Sequence, residues 1–368
     1  MFSNNQKISI RQIRRLLVLD LFGLSSLLLP GLLADTAGQD GIFSIPAAAV
    51  LAAAYIWVMG RVLHYMRGDY YGCLKELTGT IVSDLVMLFY LFFFLLLGAF
   101  VLHQLTILVK DWLLPEGSYG VISFLVLLLA AYATVRGLEG RARIYEILFW
   151  FLAAPLFVML ALAAGGVNVD YWTPVFDSSW QDFGQGTLWA MLFFLPVCFL
   201  LFLKPYCAKP EKLGRCARRA VWMVAGMNVI IYLILLGNFQ VKTTAFLQRP
   251  VITLMSMVKL PGGFLTRLDA FMTAIWFFSM FALMNTGVFY SSHIIKELFR
   301  EKHTHYGLLV VLVLEFALSR WFFLYQDATE TYVWYLKYIA LPVLILLPLL
   351  LWPALAKKYG TQGRKERV

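Results

Sequence analysis

Charged side chains are scarce in this 368-residue chain: Asp, Glu, Lys and Arg make up 14 %, and histidine occurs five times. Soluble domains carry roughly a quarter charged residues, so that class is excluded. Catalytic signatures are also missing: there is no Gly-x-Ser-x-Gly elbow, no phosphate-binding glycine loop and no His-Glu-x-x-His. The four cysteines (Cys73, Cys198, Cys207 and Cys216) match no zinc spacing and read as buried or inert thiols. Neither an enzyme, a metal site nor a cofactor is expected. What the chain has instead is apolar bulk: 61 % hydrophobic and 16 % aromatic residues.

That bulk is organised in runs long enough to cross a bilayer as helices, about 20 residues each. Ten candidates stand out, at 13–35, 41–64, 83–110, 119–136, 144–165, 187–204, 217–237, 267–291, 304–325 and 334–356. Short polar connectors leave no room for a soluble domain, so residues 1–368 are expected to form one polytopic membrane domain. Five plus five spans suggest an inverted repeat, about 13–165 and 187–356, with the first and sixth helices beside a central site. Placing the N-terminus in the cytoplasm puts most of the 31 lysines and arginines on that side, as the positive-inside rule requires. Both termini are then cytoplasmic. The net charge of +10 reflects that orientation, and no nucleic-acid partner is expected. No cleavable signal peptide is expected either.

Within this apolar background a few polar residues need a reason, since charges in hydrocarbon are costly. The first span carries Asp20, then Gly23, Ser25 and Ser26, then Pro30 and Gly31; the sixth carries Pro196. Proline removes an amide donor and clashes with the preceding turn. Local breaks in both helices are one reading; two kinked but continuous helices are the other. Asp20 and Glu315 are candidates for a charge relay or gate, with a static ion pair as the alternative for Asp20. Asp269 suits a helix N-terminus. Asn285, Thr286, Ser291 and Ser292 in the eighth span read either as oxygen ligands or as packing hydrogen bonds. His103 and Gln104 line a vestibule or sit at the interface. The stretch 246–264 is either a capping outer helix or a helix lying on the surface. The fifth span, taken from Ile144, offers no lysine to imitate a bound sodium ion.

The chain also resembles a family, the endospore germination permeases that form the B subunits of spore nutrient-germinant receptors. The resemblance begins at Lys7-Ile8-Ser9-Ile10-Arg11-Gln12 and is most specific at Leu29-Pro30-Gly31-Leu32-Leu33-Ala34-Asp35-Thr36-Ala37-Gly38-Gln39-Asp40. It continues at Leu113-Leu114-Pro115-Glu116, at Arg136-Gly137-Leu138-Glu139 with Ala142, Arg143 and Glu146, at Lys204-Pro205 and Lys209-Pro210, and at Arg267-Leu268-Asp269.

The resemblance implies an all-α integral membrane fold of the amino-acid permease (LeuT-like) type in the amino acid–polyamine–organocation superfamily. It implies ten helices in a five-plus-five inverted repeat with helices 1 and 6 broken. A small nutrient, an amino acid by this analogy, would be held by backbone groups around Gly23, Leu24, Ser25 and Ser26. Phe194, Pro196 and Cys198 of helix 6 would complete the pocket, with Thr286 on a wall. It further implies a spore inner-membrane location, a membrane A subunit and a lipoprotein C subunit as partners, and contact with membrane lipid. A proton- or sodium-coupled amino-acid transporter is the alternative function. Two departures stand out: Pro196 where a glycine-containing break is common, and Gly23-Leu24-Ser25 where Gly-x-Gly is often seen.

Overall fold

A computed structural model describes residues 7–257, 268–299 and 304–360, and among these the chain is all helical. Its helices are α1 (Ile10–Thr36), α2 (Gly41–Tyr65), α3 (Tyr70–Thr78), α4 (Thr80–Trp112), α5 (Tyr119–Val135), α6 (Gly137–Ala164) and α7 (Trp180–Phe194). They continue with α8 (Leu200–Leu203), α9 (Leu213–Phe246), α10 (Pro250–Met257), α11 (Leu268–Phe299), α12 (Thr304–Leu324), α13 (Asp327–Tyr335) and α14 (Leu341–Gly360). Among the described residues nine helical stretches are long and apolar enough to cross a membrane, and α5 is a shorter apolar helix of 17 residues.

The bundle is built around α1, the most deeply buried of the spans. A capping box starts it: Ser9 Oγ accepts from the Gln12 amide at 3.3 Å, and the Gln12 side chain accepts from the Ser9 amide at 2.9 Å. Just before it, the Ile8 amide donates to Tyr206 O at 2.8 Å and Ile8 O accepts from the Ala208 amide at 3.1 Å. The chain's entry is thereby tied to the segment after α8.

The two expected breaks have different outcomes. Near Pro196 the winding changes: α7 ends at Phe194, a five-residue 3-10 segment spans Leu195–Phe199, and α8 resumes for one turn. A proline cannot donate to the ladder, and the tighter winding absorbs the loss. The break expected in helix 1, by contrast, is absent: α1 runs through 27 residues with Pro30 inside it. The physical reason lies in its serines. Ser25 Oγ donates back to Leu21 O at 2.6 Å and Ser26 Oγ to Gly23 O at 3.3 Å. Such back-bonding satisfies the hydroxyls inside a continuous helix, which it tends to bend rather than break.

Elsewhere the bundle closes by close approach. A Cβ added to Gly287 of α11 would lie 3.1 Å from Gly98 Cα and Phe94 O of α4, the small-residue contact that membrane helices use to pack. The connector between α6 and α7 is held down by Asp40. Its carboxylate accepts from the Phe176 amide at 2.6 Å, the Ser178 amide at 2.9 Å and Ser178 Oγ at 2.6 Å. The outer helix expected in 246–264 corresponds to α10 and is eight residues long; residues 258–264 lie outside the described set, as do Arg267 and the side chain of Asp269.

Candidate functional site

A cavity of about 490 Å³ follows one face of α1. Asp20, Leu21, Leu24, Leu28, Gly31, Leu32 and Asp35 line it, spaced three and four apart as a single helix face requires. Fifteen residues separate the two acids, about 22 Å at 1.5 Å per residue. Asp35 is exposed and marks the mouth, with Gln248 beside it. Asp20 lies at the deep end without solvent contact. Phe93, Leu97 and Phe100 of α4, Trp189 and Phe193 of α7, Pro196, and Tyr332 of α13 form the walls. The lining is mostly apolar, and its two charged members are both acids.

Behind Asp20 lies a joint of three helices. The Thr286 hydroxyl of α11 is 3.1 Å from both Asp20 carboxylate oxygens and 3.0 Å from Ala282 O of its own helix, so its single hydrogen is shared between the carboxylate and that carbonyl. The same hydroxyl accepts from Nη2 of Arg141 on α6. Arg141 is 1 % exposed, and its guanidinium also lies 5.3 Å from the Phe289 ring centre and 5.6 Å from that of Tyr145. Among the described residues its Nε and Nη1 have no hydrogen-bond partner. A buried acid and a buried base are therefore joined through one neutral hydroxyl instead of a direct ion pair. Continuing toward the N-terminal end of α1, Glu146 of α6 accepts from Arg15 at 2.5 Å and Gln12 at 3.1 Å, and lies 3.2 Å from Arg11 Nε. The two helices are thus clasped below the cavity floor.

The residues singled out from sequence divide accordingly. Asp20, Leu24 and Pro196 line the cavity, and Thr286 sits directly behind Asp20. Gly23 faces α11: a Cβ there would lie 2.8 Å from Met280 N and from the carbonyl carbon of Ser279. Ser25 accepts from Asn228 Nδ2 of α9 at 3.0 Å, and Ser26 from Trp276 Nε1 of α11 at 3.0 Å. Both serines tie helices together, and neither lines the cavity. Phe194 and Cys198 are buried in the α7–α8 region, also away from it. Glu315 lies on α12, outside the cavity, and among the described residues neither carboxylate oxygen is hydrogen-bonded.

On α11, Asn285 Nδ2 donates to Ala130 O at 2.9 Å and Thr134 Oγ1 at 3.1 Å, and Ser292 bonds within its own helix. These are packing bonds. Among the described residues no cluster of three or more His, Cys, Asp or Glu side chains is placed to hold a metal.

Arg141 is the residue that sequence reasoning missed. Starting the fifth span at Ile144 left Arg141 in a basic connector, whereas α6 begins at Gly137. A signal was present. Glu139 and Arg143 stand four apart and pair at 2.5 Å, the spacing of a helix already under way.

Two classes of known protein match this architecture. In sequence, the chain is 23 % identical to Spore germination protein YndE of Bacillus subtilis (strain 168), covering 85 % of this chain and 87 % of that one. It is 23 % identical to Spore germination protein B2 of the same organism, over 85 % and 86 %. It is 22 % identical to Spore germination protein GerQB of Bacillus cereus, over 78 % of each chain. In structure, it superposes on a substrate-bound, outward-open Na+-coupled sialic acid symporter with a TM-score of 0.62 at 11 % identity, covering 94 % of this chain and 77 % of that one. It also superposes on a nucleobase-cation-symport-1 family transporter in a closed conformation with bromovinylhydantoin bound, with a TM-score of 0.53 at 14 % identity, over 86 % and 72 %. The fold is therefore that of these membrane transporters. The family model for spore germination proteins matches residues 7–331, and the chain belongs to that family.

Proposed function

We propose that this multi-pass membrane protein is the permease-like, germinant-sensing subunit of a spore germination receptor. In this reading it binds a small nutrient in the α1 cavity and signals to a membrane A subunit and a lipoprotein C subunit in the spore inner membrane. Both termini face the cytoplasm, so the cavity mouth at Asp35 faces outward. The halves 13–165 and 187–356 act as inverted repeats, a reading supported by the paired approaches of α1 to α7 and of α4 to α11.

The observation that carries the proposal is the position of Asp20, at once the floor of the cavity and one end of the joint to Arg141. An amino-acid ligand would turn its ammonium toward this carboxylate and its side chain toward the apolar wall. Backbone capture at 23–26 contributes less, because α1 is intact there. An ammonium that draws Asp20 toward itself weakens the contact with Thr286 and loosens Arg141 and α6 from α1. Binding then prefers one arrangement of the joint over the other, which any signal requires. No covalent chemistry is involved.

Calorimetric titration of the purified protein with a panel of amino acids, sugars and nucleosides tests the reading. One amino acid is expected to bind, and Asp20→Asn to weaken it about 10- to 100-fold, the range of a charge-assisted hydrogen bond. Binding unaffected by Asp20→Asn would remove the site. A coupled secondary amino-acid transporter is the second reading, favoured by the fold shared with a Na+-coupled symporter. Concentrative uptake of the bound amino acid into vesicles holding this chain alone would establish it in place of the pure sensor.

A further inference from the structure

A second cavity, of about 390 Å³, lies at the opposite end of the bundle from Asp35, between the last turns of α2 and the first turns of α9. Glycines face each other across it: a Cβ at Gly214 would lie 3.8 Å from Gly60 Cα, and a Cβ at Gly60 would meet nothing within 4 Å. The absence of side chains at both positions leaves a cleft where two helices would otherwise fill the space.

The charge around this cleft is lopsided. Arg61, Lys204, Arg215 and Arg218 line it, with Glu211 as the one acid in the lining. Among the described residues none of these four cations has a carboxylate within ion-pair distance. Lys204 is half-buried, and its ammonium donates to Leu63 O at 2.6 Å and to Met66 O. A cation is thereby fixed at the floor of the cleft by the last carbonyls of α2, while among the described residues no carboxylate neutralises it.

One turn further into the bilayer the surface changes character. Trp57, four residues before Arg61, is 43 % exposed, and the Arg61 guanidinium lies 4.9 Å from its ring centre. Trp222, four residues after Arg218, is 47 % exposed. Beyond them the same two helices expose Leu51 and Ile230. Cations, then tryptophan, then aliphatic side chains follow the order of phosphate, interface and acyl chain in a lipid leaflet. Orientation by positive charge alone asks only that cations sit in the connectors; it does not gather four of them around a glycine-floored cleft.

We propose that the cleft between α2 and α9 binds the phosphate of an anionic phospholipid, whose acyl chains lie along Trp57 and Trp222. The site is independent of the nutrient cavity and stands whether or not that cavity senses a germinant. Its chemistry selects a phosphodiester carrying net negative charge over a zwitterionic headgroup, because the lining offers four cations against one acid.

Native mass spectrometry of the full chain, supplied with phosphatidylglycerol and phosphatidylcholine of identical acyl chains, tests this. One phosphatidylglycerol per chain is expected to be retained preferentially. Arg215→Gln and Arg218→Gln should each lower the preference about fivefold, the effect of one cation at an anionic lipid surface. Gly60→Leu, which fills the cleft and keeps every cation, should lower retention as well. Arg136→Gln, an exposed cation outside the cleft that bonds Tyr132, should leave it unchanged. Equal retention of the two lipids, or an equal loss with Arg136→Gln, overturns the proposal. Displacement of phosphatidylglycerol by low-millimolar inorganic phosphate would assign the site to a soluble anion and also overturn it.

Discussion

Asp20 and Glu315 are both carboxylates with no solvent contact in membrane-spanning helices, yet their surroundings are opposite. Asp20 receives the Thr286 hydroxyl and, through it, faces the buried Arg141. Among the described residues both Glu315 oxygens lack any hydrogen-bond partner, and they abut the side-chain-free position Gly98. Ser319, one turn along α12, is already engaged with Tyr119 at 2.6 Å, and Tyr119 lies 3.2 Å from His103. A buried polar group with partners adds specificity; one without is a cost that the rest of the fold must offset. Burial alone therefore does not identify a functional acid. What lies opposite the acid decides its part.

The largest test of this contrast is to remove each carboxyl in turn. Asp20→Leu strands Arg141 as an uncompensated buried charge and should cost about 3–5 kcal/mol. Glu315→Met removes two unsatisfied oxygens and should be neutral or stabilising by about 1–3 kcal/mol. Thermal unfolding of the purified variants in detergent reads both, and equal destabilisation by the two would abolish the distinction. A Glu315→Met chain that is more stable yet fails to respond to nutrient would give Glu315 a role in the signal, the usual sign of an unfavourable group kept for function.

Next in size is Gly23→Ala. The added Cβ would meet backbone atoms of Ser279 and Met280 at 2.8 Å, and backbone cannot swing aside. Overpacking of this kind should cost about 3 kcal/mol, visible as a lowered melting temperature together with weakened ligand binding. An unchanged melting temperature would show that α1 and α11 are less tightly apposed than described. Because Gly23 packs against α11 and does not line the cavity, its substitution probes the frame that holds Asp20 and does not probe the ligand directly.

The contrast between these positions also explains what was legible in the sequence. Long apolar runs announced the spans, and Pro196 announced the change of winding in helix 6, because both are local properties. The continuity of helix 1 was not local. Gly23, Ser25 and Ser26 suit a broken helix as well as a tightly packed one, and only Met280, Asn228 and Trp276 across the interface decide between them. All four of Gly23, Leu24, Ser25 and Ser26 were expected at the ligand through their backbone, but of that quartet Leu24 is the member that lines the cavity. Arg141 was hidden by a helix start placed seven residues late, which made a buried cation look like a connector charge.

A smaller effect is expected at Thr286. Thr286→Val keeps the shape and removes the hydroxyl between Asp20 and Arg141, at a cost of about 2 kcal/mol for polar groups left unsatisfied. Thr286→Ser restores the hydroxyl and should recover most of the stability. If Val and Ser behaved alike in thermal unfolding, the hydroxyl would not be the link between the two charges.

The smallest effect, and the one most specific to Glu315, is at Gly98. An alanine Cβ there would overlap Glu315 Oε1 and come within 2.8 Å of its Cδ. Unlike the contact at Gly23, the obstacle is the far end of a flexible side chain, so Gly98→Ala alone should cost about 1 kcal/mol, the low end for overpacking. The penalty should shrink when Glu315 is first cut back to alanine, because the three atoms nearest to the new methyl group all belong to the Glu315 carboxyl. A double-mutant cycle reads that coupling directly, with neighbouring residues expected to interact by about 0.5–3 kcal/mol. A cycle that closes without coupling would place Glu315 away from Gly98, and the unpartnered carboxylate would then have to be sought against a different helix face.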